Sequence, residues 1–383
     1  MPTDFAALQD AIDAAAPGDT IVIDGGEHEY LRIDKPLTLV GRATNTPFLK
    51  SRAGGPVGPG IIPQEPALSI EDTEGLVTLI GVRVGGASSA QILANSTTTL
   101  MATGPGDLRV LHSTVRALDW LDGSEFAPAN GALFAGFGLH TLTVVDSTIL
   151  GTPHLAEGGL YCYSNLHDGS SALGAFELEQ PMVLLDTHVA GGASYDDAFY
   201  GDGCHSITSF VPTSCDDITK GLGGTGVAST GEVWMAGSSA LGGRGARLFW
   251  TGRDAPAGFP CEKSQGPAFA VAGTLDLDTG AQLHGTGALV EGRLFTLEWQ
   301  VAANSVLLAG PALVNPQARA GSTPLFVDPD QLRMKPLEGA GAGSLSILVP
   351  SLSDEMLGQV MAFQIFTPGV GLSRPLIAAM QPN

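Results

Sequence analysis

The sequence predicts an all-β solenoid, in which short strands stack in successive coils. The first observation is a repeated pattern: an apolar residue, a second two positions later, a polar turn, and a third seven or eight positions after the first. The copies of this pattern begin at Val77, Leu108, Leu142, Met182, Val233 and Leu275. Their starting points advance by 31, 34, 40, 51 and 42 residues, which is close to the spacing of known repeat architectures.

The second observation is that the repeats share a similar turn sequence and alternate with a second short sequence pattern, whose copies we call the interleaved phrases. The turns read LHSTVRA, VDSTILG, LDTHVAG and AGSSALG, and the interleaved phrases begin at Gly131, Gly158, Asp197, Gly245 and Gly266. Two alternating classes of strand indicate coils that contribute strands to separate sheets. No segment of helical period lies between them, which argues against a βαβ sheet or a TIM barrel. Repetition of one short phrase favours a solenoid over a sandwich.

The N-terminal segment is predicted to be an amphipathic helix over residues 3–16. Thr3 or Asp4 would cap it, and the apolar face consists of Phe5, Leu8, Ile12 and Ala15. Pro17, Gly18 and Asp19 end the helix. Two short β-type runs follow, at residues 21–23 and 37–41.

The C-terminal segment has a different character. Residues 311–336 are rich in Pro and Ala, and further strands are predicted at residues 345–349, 359–365 and 375–378. The sequence therefore divides into an N-terminal helix at residues 1–20, a solenoid at residues 21–310 and a transition with a small β module at residues 311–383.

The composition sets limits on the partners. The formal net charge is −21, which excludes nucleic acid and anionic membrane as favoured partners because both would repel the chain. Charged residues make up only 15% of the chain, against about 25% in an ordinary soluble domain, and the mean hydropathy is +0.19. A solenoid exposes most of its outer faces, so the shortage of charge must fall there. Large, weakly charged surfaces are typical of self-association.

The cysteines and the N-terminal residues give information on whether the protein lies inside or outside the cytoplasm. No C-x-x-C spacing is present, which disfavours zinc. Cys204 and Cys215 bracket a loop that a disulfide would close, leaving Cys162 and Cys261 as a second pair; buried free thiols are the alternative. No run of apolar residues is long enough to span a membrane, and the first residues do not resemble a signal peptide. Either the chain is intracellular or an export signal is absent from it, and oxidised pairs would place it outside the cytoplasm.

The opening, DFAALQDAIDAAAPGDTIVIDGGEHEYLRIDKPLTLVG, resembles the start of right-handed parallel β-helix proteins of the pectate-lyase-like superfamily. The resemblance extends over residues 4–310, strongly at the N-terminus and more loosely afterwards. It implies a right-handed solenoid with a helix that caps one end of its core. The later repeats are similar to exported bacterial β-helix proteins of planctomycetes and myxobacteria, which implies an extracellular or cell-surface location. The tail resembles the C-terminal strand module of those proteins, as a second cap, a docking element or an export signal.

The superfamily includes enzymes that cleave acidic polysaccharides and that use characteristic motifs of aspartate, histidine and basic residues. The nearest match contains Asp196, Asp197, Asp202 and His205, but the N-T-D motif is missing, G-C-H replaces G-H-G, and the spacing is compressed. Neighbouring Asp196 and Asp197 on a strand would point to opposite faces. Arg247 is a basic candidate for a lyase reaction. The missing and altered motifs argue against catalysis, and the net negative charge of the chain would repel a polyuronate.

Two further sites follow from residue type. Asp202, Asp216 and Asp217 could supply hard oxygen ligands for a structural Ca²⁺, with a solvated acidic loop as the alternative. No other cofactor is predicted. A sugar-stacking platform would need exposed aromatic side chains, and the candidates are Trp120, Tyr161, Tyr163, Tyr195 and Tyr200. Packing of most of them in the core is the alternative.

Two classes of function remain. The first is an extracellular structural or adhesive protein that self-associates into a fibre or another homo-oligomeric assembly. The second is a polysaccharide lyase, glycoside hydrolase or carbohydrate-binding protein that uses a groove on the solenoid. The sequence favours the first class because the catalytic motifs fail and the charge is sparse.

Overall fold

In a computed structural model, the chain forms a parallel β-solenoid followed by mainly antiparallel sheets. The structure describes residues 5–51, 66–85, 98–117, 131–151, 169, 171–194, 197–200, 214, 221–250, 258–277, 282–285, 288–302, 304–314, 316, 319–320 and 323–383. Among these residues, strands predominate and α1 (Leu8–Ala14) is the single α-helix. The predicted all-β class and the parallel stacking are confirmed.

The coils of the solenoid contribute short strands to three faces. Face A contains β1 (Thr20–Ile23), β4 (Thr38–Gly41), β7 (Leu76–Ile80), β10 (Asp107–Leu111), β13 (Thr141–Val145) and β16 (Met182–Leu185). Face B contains β2 (Glu27–Glu29), β5 (Phe48–Lys50), β8 (Arg83–Gly85), β11 (Thr114–Arg116), β14 (Thr148–Leu150), β17 (His188–Ala190) and β20 (Ser239–Leu241). Face C contains β3 (Leu31–Ile33), β6 (Leu68–Ile70), β9 (Leu100–Thr103), β12 (Leu133–Gly136) and β15 (Leu173–Ala175). The longer strands β19 (Val227–Ala236) and β23 (Phe269–Asp276) run through faces C and A and join them into one sheet.

The strand register confirms most of the predicted repeat. Leu108 lies opposite both Val77 and Leu142, and Met182 lies opposite Val233, all in parallel pairs. These side chains are buried in one continuous core inside the three faces. They alternate with residues that point outward, as strand geometry requires.

The last copy of the repeat departs from this register. Leu275 lies opposite Trp234 instead of Val233, because the pairing of β19 with β23 shifts between Ser229 and Glu232. Leu275 and Leu277 therefore pack outside face A, with Trp234, instead of continuing the inner core. The prediction that Leu275 aligns with Val233 is wrong for this reason, since an irregularity that inserts residues reverses the side-chain alternation.

The interleaved phrases belong to two different sheets. The phrase from Gly131 forms β12 and the phrase from Gly266 leads into β23, both on face C, whereas the phrase from Gly158 lies outside the described residues. The phrases from Asp197 and Gly245 instead form β18 (Asp197–Tyr200) and β21 (Arg247–Trp250), which join β22 (Cys261–Glu262) in a separate three-stranded sheet.

A ladder of hydroxyl groups follows the corner between faces A and B. From β7 onward, the residue after each strand segment of face A has a positive φ, and these residues are Gly81, His112, Asp146, Asp186 and Gly237. The next residue turns inward, and from the second of these coils onward it carries a hydroxyl group: Ser113, Ser147, Thr187 and Ser238. Ser113 Oγ donates to Leu111 O at 2.7 Å and accepts from Val82 N at 3.2 Å. Ser147 Oγ in turn accepts from Ser113 N at 3.1 Å, so this ladder satisfies buried corner amides from coil to coil.

Helix α1 is shorter than the sequence predicts. It begins at Leu8, its N-cap is Ala7, and no side chain caps it. Leu8 and Ile12 are buried in the solenoid core, as predicted, but Phe5 is 47% exposed and does not share the buried face. The predicted caps Thr3 and Asp4 lie outside the described residues.

The C-terminal strands form two sheets with an apolar core between them, and all of their strand pairs are antiparallel except the parallel pair of β25 with β34. The first sheet contains β24 (Gln282–Gly285), β26 (Leu294–Val301) and β31 (Gly341–Leu348). The second contains β25 (Ala288–Val290), β27 (Val306–Pro311), β30 (Arg333–Pro336), β32 (Val360–Thr367), β33 (Gly371–Leu372) and β34 (Leu376–Gln381). A hairpin of β28 (Arg319–Ala320) and β29 (Thr323–Pro324) and a 3₁₀ turn at Pro329–Gln331 complete this part. We call residues 282–383 the C-terminal module, because β24 to β27 pair with the later strands; the predicted boundary between residues 310 and 311 falls within β27.

The second sheet of the C-terminal module packs along face A. Outward residues of face A form an apolar stripe, which we define as Val40, Ile80, Leu111, Val145 and Leu185, and all of them are buried. They pack with Leu308, Val360, Ala362, Ile377 and Ala379 of the module. Alternate residues of the same strands, such as Leu307 and Phe363, face the core between the two sheets. The second sheet is therefore buried on both sides.

Polar contacts fix the position of the module on face A. The buried Arg109 side chain points outward from β10 and donates through Nη2 to Leu313 O at 2.9 Å and to Ala312 O at 3.4 Å. Burial lowers the pKa of this guanidinium to about 10. Arg374 Nη1 lies 3.2 Å from Asp186 Oδ1, and Ala43 N donates to Pro382 O at 3.2 Å.

Candidate binding surfaces

The predicted catalytic residues fall mainly outside the described part of the chain. This holds for Asp196, Asp202 and His205, and also for the predicted calcium ligands Asp216 and Asp217. Asp197 and Arg247 are described, and they lie opposite each other on the parallel strands β18 and β21. The structure thus brings one predicted acid and the predicted base into neighbouring strands. Catalysis and calcium binding by this group stay predictions.

Cysteines, metals and membrane spans can be described only in part. Cys261 is disulfide-bonded, and Cys162, Cys204 and Cys215 lie outside the described residues, so the two pairings stay predictions. No cluster of three or more His, Cys, Asp or Glu side chains suited to a metal occurs within the described ranges. In the same ranges, none of the helical structure has the length and apolar character that crossing a membrane requires.

Face B carries several of the charged groups. Lys50 Nζ lies 2.7 Å from Glu27 Oε2 and 3.2 Å from Glu29 Oε1. The hydrogen bond that Lys50 donates to Glu27 raises the pKa of Lys50 and lowers the pKa of Glu27. Arg83 lies over the Phe48 ring, with 5.3 Å between the guanidinium carbon and the ring centroid. This part of face B is a solvated polar surface.

Face C carries an outward row that changes from charged to apolar along the solenoid. At its N-terminal end, Arg32 Nε lies 3.2 Å from Glu71 Oε2. The register then aligns the outward residues Met101, Phe134, Gly174, Ala228 and Ala270 on successive strands. Neighbouring strands lie about 4.8 Å apart, so the row is a narrow strip parallel to the solenoid axis.

Three phenylalanine rings cluster on this strip. The Phe134 centroid lies 5.7 Å from that of Phe137 and 5.8 Å from that of Phe176, and the second pair is stacked at 30°. Phe137 is 68% exposed and Phe176 is 36% exposed. We call these three residues the aromatic strip.

Glycine makes room for the rings. A Cβ atom at Gly174 would lie 3.0 Å from Cε2 of Phe176, and one at Gly136 would lie 3.2 Å from Cζ of Phe134. Phe137 itself has a φ of +53°, which bulky side chains rarely adopt. The backbone thus holds a large apolar ring in solvent at some conformational cost, which is typical of binding surfaces.

Polar groups lie on the turns that carry these rings. His140 Nε2 lies 2.9 Å from Glu179 Oε2, and both residues follow the rings by three positions on successive turns. Glu177 N donates to Thr230 Oγ1 at 2.9 Å. Hydrogen-bonding groups and exposed aromatic faces therefore occur together at this corner.

The second surface of interest is the edge strand β31. It pairs along its whole length with β26, and no strand of the described structure pairs with its other edge. Its sequence, GAGSLSIL, has no charged residue, and six of its eight residues are exposed. Leu345 and Ile347 lie opposite the buried Leu297 and Phe295, at the open side of the core between the antiparallel sheets. Trp299 lies against Gly343, where a Cβ atom would approach within 2.6 Å of the indole nitrogen.

Comparisons with known proteins assign neither surface. No model of a protein family matches the chain, and no curated protein matches it. The sequence predicted neither surface. The sugar platform that it predicted consists of Trp120 and four tyrosines. Trp120, Tyr161, Tyr163 and Tyr195 lie outside the described residues, and so does the side chain of Tyr200. The signal for the aromatic strip was present in the phrase that begins at Gly131, where Phe134 and Phe137 stand between glycines.

Proposed function

We propose that this protein is an extracellular structural or adhesive solenoid that self-associates. The observation that carries the proposal is the uncharged, exposed edge of β31. An edge strand presents unpaired N–H and C=O groups, and proteins that remain monomeric block such edges with charge, proline or bulges. β31 has none of these within its eight residues.

A second copy of the chain fits this edge. Two β31 strands related by a two-fold axis would pair antiparallel and place the same surface patch on both partners, as in a closed dimer. The pairing would bring Leu345 and Ile347 of both copies together and continue the core between the antiparallel sheets across the interface. Part of the weakly charged surface already has another explanation, since the stripe on face A is covered by the C-terminal module.

The expected affinity is modest. Two eight-residue strands form about eight hydrogen bonds, each worth about 1 kcal/mol net, against an association cost of at least ~4 kcal/mol. Burying the exposed part of Ile347 in both copies adds roughly 2–3 kcal/mol. The sum predicts a dissociation constant between about 1 μM and 1 mM. Because each copy carries a net charge of −21, added salt should strengthen the association.

The test is sedimentation velocity from about 1 μM to 1 mM protein, at low and high salt. The wild type is expected to shift towards larger species as concentration and salt rise. Ile347→Lys places a charge at the edge and should return the protein to monomer. Met334→Lys, which changes a 69% exposed side chain on β30, is the matched control and should assemble like the wild type.

The thermal unfolding of each variant is compared with that of the wild type, so that loss of assembly is separated from loss of folding. A wild type that stays monomeric throughout this range refutes the proposal. Equal assembly by Ile347→Lys and the wild type refutes the assignment to β31.

We extend the proposal to the finer fold and to the location. Support for a right-handed β-helix of the pectate-lyase-like superfamily comes from the opening sequence, and support for a capping role of α1 comes from the burial of Leu8 and Ile12 in the solenoid core. The disulfide of Cys261 supports a location outside the cytoplasm.

A further inference from the structure

The aromatic strip on face C has features that point to a ligand. Phe137 and Phe176 are exposed, and Phe176 stacks on Phe134 over Gly174. Buried packing does not explain rings that stand in solvent on a strained backbone, as Phe137 does with its φ of +53°.

The size of the strip argues against another protein chain as its occupant. A phenylalanine side chain buries roughly 150–250 Å² when fully covered. The exposed fractions of 68% and 36% therefore leave about 200 Å² of ring surface to be covered. A stable protein interface needs about 800 Å² from each partner. A narrow ligand that lies along the strip matches this area better.

The charge and the chemistry select the class of ligand. The net charge of −21, and Glu177 and Glu179 on the adjoining turn, disfavour acidic polymers. The face of an aromatic ring is negative and attracts the positively polarised C–H groups of a sugar ring. His140 and Glu179 on the same turns, and Thr230 of the neighbouring strand β19, offer hydrogen-bonding groups for sugar hydroxyls.

We propose that the aromatic strip binds an uncharged polysaccharide, with Phe137 and Phe176 as stacking platforms. The ligand lies along the solenoid axis and crosses the strands of face C. The site is distinct from the group around Asp197 and Arg247, and its ligand differs from the acidic polymers that the superfamily resemblance implies. Binding here does not depend on self-association through β31.

The test is affinity electrophoresis and calorimetry of the full chain with xyloglucan, mixed-linkage β-glucan and galactomannan, and with polygalacturonate as the acidic comparison. Wild type is expected to bind at least one uncharged polymer and not polygalacturonate. Phe137→Ala and Phe176→Ala should each weaken binding about three- to tenfold, and the double variant should abolish it. Val370→Ala, a change of a 58% exposed side chain in the C-terminal module, is the matched control and should bind like the wild type.

Three results would overturn the proposal: no uncharged polymer binds the wild type, the phenylalanine variants bind as tightly as the wild type, or these variants alter sedimentation and leave binding unchanged. The last result would assign the strip to contact between chains. Ile347→Lys is expected to keep polysaccharide binding, so the failure of one proposal can be told from the failure of the other.

Discussion

Replacing Ser113 by alanine tests the hydroxyl ladder at the corner between faces A and B. Ser113 Oγ is the acceptor for the buried Val82 N–H at 3.2 Å and donates to Leu111 O at 2.7 Å. In Ser113→Ala, Leu111 O keeps a second donor, Gly81 N at 3.0 Å, but Val82 N–H loses its acceptor. A buried donor without a partner costs about 1–3 kcal/mol, and we expect the free energy of unfolding to fall by that amount.

The chain itself offers the control. Thr187 occupies the equivalent place in a later coil and donates to Leu185 O at 2.9 Å. Ser113→Thr should therefore keep the ladder and change the free energy of unfolding by less than about 1 kcal/mol.

The assay is urea unfolding followed by circular dichroism, with hydrogen exchange of the Val82 amide as a local measurement. Exchange at Val82 should be faster in Ser113→Ala and unchanged in Ser113→Thr. Equal stability of Ser113→Ala and wild type, or equal loss in both variants, would refute the role given to the hydroxyl group.

Three further predictions concern the attachment of the C-terminal module and the response to acid. Arg109→Met should leave the free energy of unfolding within about 1 kcal/mol of wild type, because removing the charge relieves a burial cost of about 3 kcal/mol and this compensates for the lost hydrogen bonds. Arg109→Ala should lower the free energy of unfolding by about 3 kcal/mol, because it also leaves a cavity. Equal effects of the two variants in urea unfolding would contradict this. Deleting residues 355–383 uncovers the stripe on face A, so the shortened chain should bind a hydrophobic dye and aggregate in light scattering; a clean monomer would show that the stripe needs no cover. The hydrogen bond that His112 donates at 2.9 Å lowers the pKa of Asp146, so its contribution to stability is present above the ordinary value of 3.8 and is lost as pH falls through the lower folded value. In acid titrations Asp146→Asn should lack this part of the loss of stability, and an unchanged acid profile would refute the assignment.

The inner repeat could be predicted because its signal is local. An apolar residue at every second position, repeated at the same place in each coil, specifies both the strand and the side that faces the core. The register from Val77 to Val233 followed from this pattern. It failed at Leu275 because β19 has one more residue than β23 between Ser229 and Glu232. Gly231 lies at this place, but a glycine alone does not specify an inserted residue.

The outer contacts of face A left a signal that alternation alone did not interpret. Several face A strands end in two consecutive apolar residues, as in Leu79–Ile80 and Val144–Val145. Strands that are buried on both faces have such runs, so the pairs indicate a covered outer surface. What covers it could not be predicted, because that depends on how the C-terminal strands fold back in space. The aromatic strip was missed for a similar reason, since its rings come from different coils.

The return of the C-terminal module along face A has a consequence for the order in which the molecule can be completed. Pro382, which follows β34, accepts a hydrogen bond from Ala43 in one of the N-terminal coils. Synthesis and any transport across a membrane deliver the coils first and the covering strands last. The apolar stripe therefore stays exposed until β27, β32 and β34 have emerged, and the N-terminal coils reach their finished surroundings only after those strands have folded back.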